Sequence, residues 1–367
     1  MLSDFGYEPG MTPDPRPDTA IPKRSRGRLV ELDALRGLGA ISVVLYHLTT
    51  RFPEVFPDAD HVPLTFLPGE YRVLLFFAIS GFAIFFTLKG IKGVTDFAVN
   101  RFARLFPAYW VAIPLILLFE YAGHVDKLKI PVSSILVNFT MLQGFFYLPS
   151  VDGAFWTLTM ELAFYACMIG LWRVLGPRMA RLESTLLPWL ALRWLMELWP
   201  DMPYRIIQLA VADFIAFFVI GILFYRIWSG ARHWREQVPY FAAVLLTLYA
   251  NDTWDLLVSG CVLIALFAAM LGGVLRPFCV RPILWLGEIS YSLYLVHENI
   301  GFVIMLRAQA AGINHWMSLA MALSTVVLLG WLLNRYVEKP AGSWLMQYYR
   351  EWKRRRIGPG AGAAGVA

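Results

Sequence analysis

Charge is what this chain has least of. Asp, Glu, Lys and Arg together make up 16% of its 367 residues, against 58% hydrophobic and 15% aromatic. A soluble domain runs near a quarter charged, so the polar material needed to cover globular surfaces of this total length is missing. That excludes a soluble enzyme and a disordered regulator, as does a mean hydropathy of +0.56. Cysteine is scarce too. Cys167, Cys261 and Cys279 are too few and too widely spaced for a disulfide framework or a zinc site, and no metal is expected. An apolar run at the start is also lacking. The first 28 residues are rich in Pro, Asp and Arg, so no cleavable signal peptide is expected. No internal repeat is visible, which disfavours transporters built from duplicated halves. What remains is an all-α polytopic membrane protein.

Apolar runs long enough to cross a hydrocarbon core of about 30 Å as helix lie at about 31–50, 70–89, 105–123, 153–173, 184–200, 204–226, 237–251, 256–275, 283–306 and 316–336. A further stretch, 131–149, is broken by Pro131, Asn138, Gln143 and Gly144 and is expected not to span. With that segment excluded and the N-terminus inside, 25 Lys and Arg fall on the cytoplasmic side and 6 on the other, as the bias of cytoplasmic loops towards basic residues requires. About ten transmembrane helices with both termini cytoplasmic is the expected topology. Three regions follow: a disordered cytoplasmic tail over 1–28, a membrane domain over 29–340, and a basic, then Gly/Ala-rich cytoplasmic tail over 341–367. The net charge of +6 is a feature of these cytoplasmic segments and the lipid surface they face, and no nucleic-acid partner is expected.

Ionisable side chains inside spans are costly and mark candidate sites. Arg36 and His47, eleven residues apart, fall on one helical stripe about 16 Å long, with the imidazole a candidate general base. The same pair also fits an Arg reaching the inner headgroups and a His at the outer interface. Arg101 and Arg104 share a helix face at i and i+3 and can clamp a phosphorylated ligand, although a cytoplasmic boundary alone also demands basic residues. Glu161 sits about 12 Å into its span on helical rise and must pair or face water. Asp213, Tyr291, His297 and Glu298 lie at similar depth and are candidates for lining a wet cavity; polar helix packing explains hydroxyls equally well.

The chain resembles the acyltransferase-3 family of integral membrane O-acyltransferases. The resemblance rests on Leu32-Asp33-Ala34-Leu35-Arg36-Gly37 with His47, Phe76-Phe77-Ala78-Ile79-Ser80-Gly81-Phe82, and Arg101-x-x-Arg104 before Pro107-Ala108-Tyr109. It continues with Trp156-Thr157-Leu158-Thr159-Met160-Glu161, Leu286 to His297, and Val337-Glu338-Lys339-Pro340. Six motifs in this order are strongly specific, and they cover nearly the whole chain outside the tails. The resemblance implies transfer of an acyl group, most often acetyl, from cytoplasmic acyl-CoA to a hydroxyl, in the cytoplasmic (inner) membrane. The acceptor class it implies is a glycan, glycolipid or small molecule, with no bound cofactor beyond the acyl-CoA donor. It further implies catalytic His47, with Glu161 as its orienting carboxylate and His297 or Glu298 as second choice, and Arg36, Arg101 and Arg104 holding the donor. Two departures stand out: Arg72-Val73-Leu74 replaces the family's Gly-Val-Asp, and Glu288 replaces a common basic residue. No fused extracytoplasmic domain is expected, so the acceptor would be bound by the membrane core or a partner. The rival reading is a proton-coupled transporter or flippase.

Overall fold

The computed structural model describes residues 29–66, 71–176, 182–199 and 201–357. The expected tail over 1–28, the final Gly/Ala run and Arg178 lie outside the described residues. Among the described residues every regular element is helical and none is a strand. In chain order they are α1 (Val30–Tyr46), α2 (Phe52–Val55), α3 (Arg72–Gly90), α4 (Val94–Ala122), α5 (Val132–Asn138), α6 (Trp156–Leu175), α7 (Leu182–Leu198) and α8 (Tyr204–Leu209). Then come α9 (Ile215–Trp228), α10 (Trp234–Asn251), α11 (Trp254–Leu271), α12 (Arg281–Val296), α13 (Glu298–Ala310), α14 (His315–Leu333) and α15 (Lys339–Ile357).

Among the described residues five segments are individually long and apolar enough to cross a bilayer: Val73–Gly90, Val94–Ala122, Gly153–Leu175, Trp254–Leu271 and His315–Arg356. A sixth is the pair α12 and α13, bent by 71°. The other expected spans are helical but shorter or more charged. Glu31, Asp33 and Arg36 open α1, α7 contains Arg193, and Arg235 and Glu236 open α10. The 204–226 run is interrupted, with Asp213 in the turn between α8 and α9. Within 131–149, α5 has only 7 residues, a rise of about 10 Å. Left-handed backbone follows at Met141 and Tyr147, and among the described residues no helix long and apolar enough to cross a bilayer lies in this stretch. The basic stretch after Pro340 is helical as far as Ile357, where the sequence reads as tail.

Two helix crossings position everything else, and each is built on a pair of glycines. A Cβ on Gly37 would meet the Ile283 carbonyl oxygen at 2.2 Å, and one on Gly287 the Asp33 carbonyl at 2.1 Å. The backbones of α1 and α12 therefore touch. At the second crossing a Cβ on Gly81 would lie 2.1 Å from the Phe218 carbonyl, and one on Gly221 1.8 Å from that of Ala78, bringing α3 against α9. Small residues permit this approach where lipid supplies no hydrophobic drive between helices. Phe77, Phe164 and Phe218 then stack around α9, with ring centroids 4.8 and 4.0 Å apart for the two pairs that include Phe218. Residues 215 to 226 of α9 are all buried, as befits a helix apolar on every side. Its one buried cation, Arg226, is paired with Glu183 of α7 at 2.8 Å. Arg193 is likewise neutralised, by Asp252 at 3.1 Å.

Candidate active site

The α1–α12 crossing brings two polar groups to different depths of one bundle. At the far end of α1 the helix opens into a π-turn, His47–Arg51, a local irregularity that recurs at functional positions. His47 Nδ1 lies 2.9 Å from the Val43 carbonyl oxygen and 3.1 Å from His297 Nε2. His297 sits at the break between α12 and α13, fully buried, with its own Nδ1 2.7 Å from the Tyr294 carbonyl. Carbonyl oxygens only accept. Both Nδ1 atoms therefore carry the protons in the neutral rings, and His47 Nε2 is left with a free lone pair. That nitrogen faces Glu298 Oε2 at 3.4 Å, a buried oxygen with no hydrogen-bond partner among the described residues.

Glu298 in turn stands in a buried carboxylate shell. A Cβ on Gly153 would fall 2.4 Å from Glu298 Oε1, so only glycine leaves room for this carboxyl. Asp152, fully buried beside it, accepts from the backbone N–H groups of Ala154 at 3.0 Å and Asn299 at 3.1 Å. The Asn299 side chain donates to Glu120 Oε1 at 2.7 Å and to the Val151 carbonyl at 2.9 Å.

The second group lines a cavity of about 180 Å³ whose walls include Asp33, Arg36, Arg101, Arg104, Glu161 and Tyr294. Its three arginines are not equivalent. Arg36 has Asp33 at 3.9 Å. Arg104 is ion-paired to Glu338 of the π-turn Asn334–Glu338 and stacks over Tyr291 at 5.4 Å. Glu338 is itself gripped by Ser292 at 2.6 Å and Asn334 at 2.9 Å. Among the described residues Arg101, by contrast, bonds only the neutral groups of Thr87, Asn100 and Tyr165, and its buried Nε has no partner there. It is the guanidinium left open to an anionic ligand.

Glu161 belongs to this cavity and not to His47. It accepts from Ser80 at 3.0 Å and from Tyr165. The carboxylate at the imidazole is Glu298. Tyr294 separates the two groups: it lines the cavity, its hydroxyl meets Thr157 at 2.6 Å and the Ala154 carbonyl at 2.8 Å, and its ring lies 5.4 Å from that of His297. Tyr291 is buried with its hydroxyl on the Leu105 carbonyl at 2.7 Å. Asp213 lies apart from both groups, with Arg193 and Asp252 as its charged neighbours.

Residues 29–335 match a family model described as an acyltransferase domain, that of acyltransferase family 3. The chain belongs to the acyltransferase-3 family. Members of this family therefore set the frame for the two polar groups. Peptidoglycan O-acetyltransferase OatA of Listeria monocytogenes is 22% identical over 93% of this chain, and the chain spans 62% of that protein's length. Exopolysaccharide production protein ExoZ of Rhizobium meliloti is 26% identical over 85% of this chain and 99% of its own. Acyltransferase MdmB of Streptomyces mycarofaciens is 25% identical over 38% of each chain. No solved structure matches.

One departure from the acyltransferase-3 pattern has a local explanation. Glu288 is ion-paired to Lys339 of the Val337-Glu338-Lys339-Pro340 motif, so the changed charge has its partner within the same bundle. Sequence reading left four contributors without a role: Asp152, Asn299, Glu120 and Glu338. Three of them had a signal, with Asp152 shortly before the Trp156-Thr157 motif, Asn299 next to Glu298, and Glu338 inside a quoted motif; Glu120 had none.

Proposed function

We propose that the chain is an O-acyltransferase of the cytoplasmic membrane that moves a short acyl group, acetyl foremost, from acyl-CoA to a carbohydrate hydroxyl. The observation that carries the reading is the position of His47 Nε2, held as a lone-pair nitrogen, 3.4 Å from Glu298 Oε2, a buried carboxylate oxygen without a hydrogen-bond partner among the described residues. The acceptor hydroxyl gives its proton to His47 Nε2 as its oxygen attacks the thioester carbonyl. The C–S bond breaks and CoA leaves as thiolate, to be protonated on release. The imidazolium formed in this step presents an N–H to Glu298, which stabilises it. His297 is a positioning residue that keeps the His47 proton on Nδ1. Arg101 attracts the donor's phosphates towards a cavity whose size suits a small acyl group. Tyr294 stands between thioester and base, so transfer requires its ring to turn aside. The carbohydrate acceptor is suggested by the peptidoglycan and exopolysaccharide in the names of two relatives that match most of this chain.

Purified protein in nanodiscs is expected to release CoA from acetyl-CoA, and envelope glycans from cells carrying the gene to show an acetyl mass increment absent without it. Proton-coupled flux with neither signal would favour a transporter and refute the reading. Within the active enzyme, Arg101→Ala is expected to raise donor KM about 10- to 100-fold, the worth of one charge-assisted hydrogen bond, with Arg101→Lys intermediate because the planar fork is lost. Arg104→Ala strands the buried Glu338 carboxylate and is expected to lower Tm as well. Equal donor KM for wild type and Arg101→Ala would remove Arg101 from donor binding.

The proposed topology is ten spans with both ends cytoplasmic, supported by the Lys and Arg distribution and by the two-turn length of α5. On a cysteine-free background, Ser133→Cys is expected to react with an impermeant thiol reagent in intact cells and Arg235→Cys only after permeabilisation. Labelling of position 235 in intact cells would overturn the assignment.

A further inference from the structure

The helix α15 lies beyond the residues that match the family, 29–335, yet it is fastened to the bundle at the end that carries Arg101 and Arg104. Asp96, in the first turn of α4, accepts from the Tyr349 hydroxyl at 2.7 Å and from Lys353 Nζ at 2.5 Å. Between α15 and the α3–α4 corner runs a groove of about 1030 Å³. The α3–α4 side is apolar at Phe86 and Ile91, and α15 contributes Met346, Arg350, Arg354 and Arg355. Among the described residues these three arginines have no carboxylate partner, in contrast to Lys353. The groove adjoins two further recesses in turn through shared lining residues. It shares Asn100 and Met346 with a recess of about 240 Å³ that reaches Arg104, and Arg104 lines the inner cavity of Arg101 and Glu161. Thr87 and Asn100, which line the groove, are also the side chains that bond Arg101.

We propose that this groove binds the nucleotide end of the donor, an adenosine carrying a 3′-phosphate and a 5′-pyrophosphate, with Arg350, Arg354 and Arg355 on the phosphates. The proposal rests on the acyl-CoA reading above. The inner cavity of about 180 Å³ holds a thioester end but not a nucleotide, so a CoA donor needs a second, larger and basic site joined to the first. The groove has that size and sign, and it adjoins the inner cavity by way of the recess at Arg104. Guanidinium groups suit phosphate oxygens through their paired donors, and the apolar wall offers a flat purine a place to stack. An anionic lipid headgroup carries the same phosphate chemistry. The adjacency to the thioester cavity, which a headgroup does not need, favours the nucleotide.

The test measures binding of adenosine 3′,5′-bisphosphate and of coenzyme A to the full chain in nanodiscs of neutral phosphatidylcholine. Three proteins are compared: wild type, Arg350→Ala with Arg354→Ala, and Arg350→Lys with Arg354→Lys. These side chains are exposed, and equal Tm values verify folding. The Ala pair is expected to bind both ligands about tenfold or more weakly, and the Lys pair to recover part of the loss. Equal affinity in wild type and the Ala pair overturns the proposal, as does failure of wild type to bind the bisphosphate. If the Ala pair loses adhesion to phosphatidylglycerol vesicles while its bisphosphate affinity is unchanged, the groove is a lipid site and the proposal falls. If wild type binds the bisphosphate in an arginine-dependent way yet releases no CoA from acetyl-CoA, the groove stands and the donor reading fails.

Discussion

Replacing His47 by Ala is expected to abolish acyl transfer while leaving the protein inserted and abundant. The side chain removed is the lone-pair nitrogen that faces Glu298, and general-base assistance contributes about 10²–10⁴-fold to rate. His47 makes its hydrogen bonds to one backbone carbonyl of its own helix and to His297, so its loss leaves neither a stranded carboxylate–guanidinium pair nor an unfilled apolar core. The expected kinetic signature is a fall in turnover at saturating donor with little change in donor KM, the reverse of Arg101→Ala. Turnover and membrane-inserted protein should be measured together. Near wild-type turnover would remove His47 from the chemistry, and disappearance of the protein would make it a structural residue.

Gly37→Val is expected to cost folded protein as well as activity. Its Cβ alone would lie 2.2 Å from the Ile283 carbonyl oxygen and 2.8 Å from the Gly287 amide nitrogen. Those are backbone atoms that no rotamer change can move. Overpacking of a core costs about 1–3 kcal/mol and occasionally more when the neighbour is soft; here α1 and α12 must separate bodily. Separation also withdraws His47 from His297 and Glu298, so any surviving protein should be inactive. Gly90→Ala is the control, since nothing lies within 4 Å of its Cβ. The thermal midpoint in detergent, with turnover, checks this: a Gly37→Val protein with unchanged midpoint and activity would show that the crossing is not close-packed.

The chemistry of the individual helices was legible in the sequence. Apolar length and scarce charge dictate a membrane bundle, and the 3.6-residue period alone places Arg36 and His47 on one stripe of α1. The short, broken 131–149 segment was legible for the same local reason, its Pro, Asn, Gln and Gly. Partners across helices were not. Glu161 and Glu298 are both carboxylates within apolar runs, and helical period reports the face a residue occupies but not which neighbour that face meets. The choice of Glu298 for His47 came from two things outside α1: the glycine-to-glycine register of α1 on α12, and the 71° bend at His297 that swings Glu298 back to the imidazole. The two arginines of Arg101-x-x-Arg104 likewise share one helix face in sequence. Only the arrival of Glu338, 234 residues further along, neutralises Arg104 and leaves Arg101 open. Sequence alone therefore determined that the chain is a bundle of apolar helices and which ionisable side chains most of them carry, because that follows from local hydropathy and period. Tertiary structure decided which of them meet, because that depends on where helix backbones touch and bend.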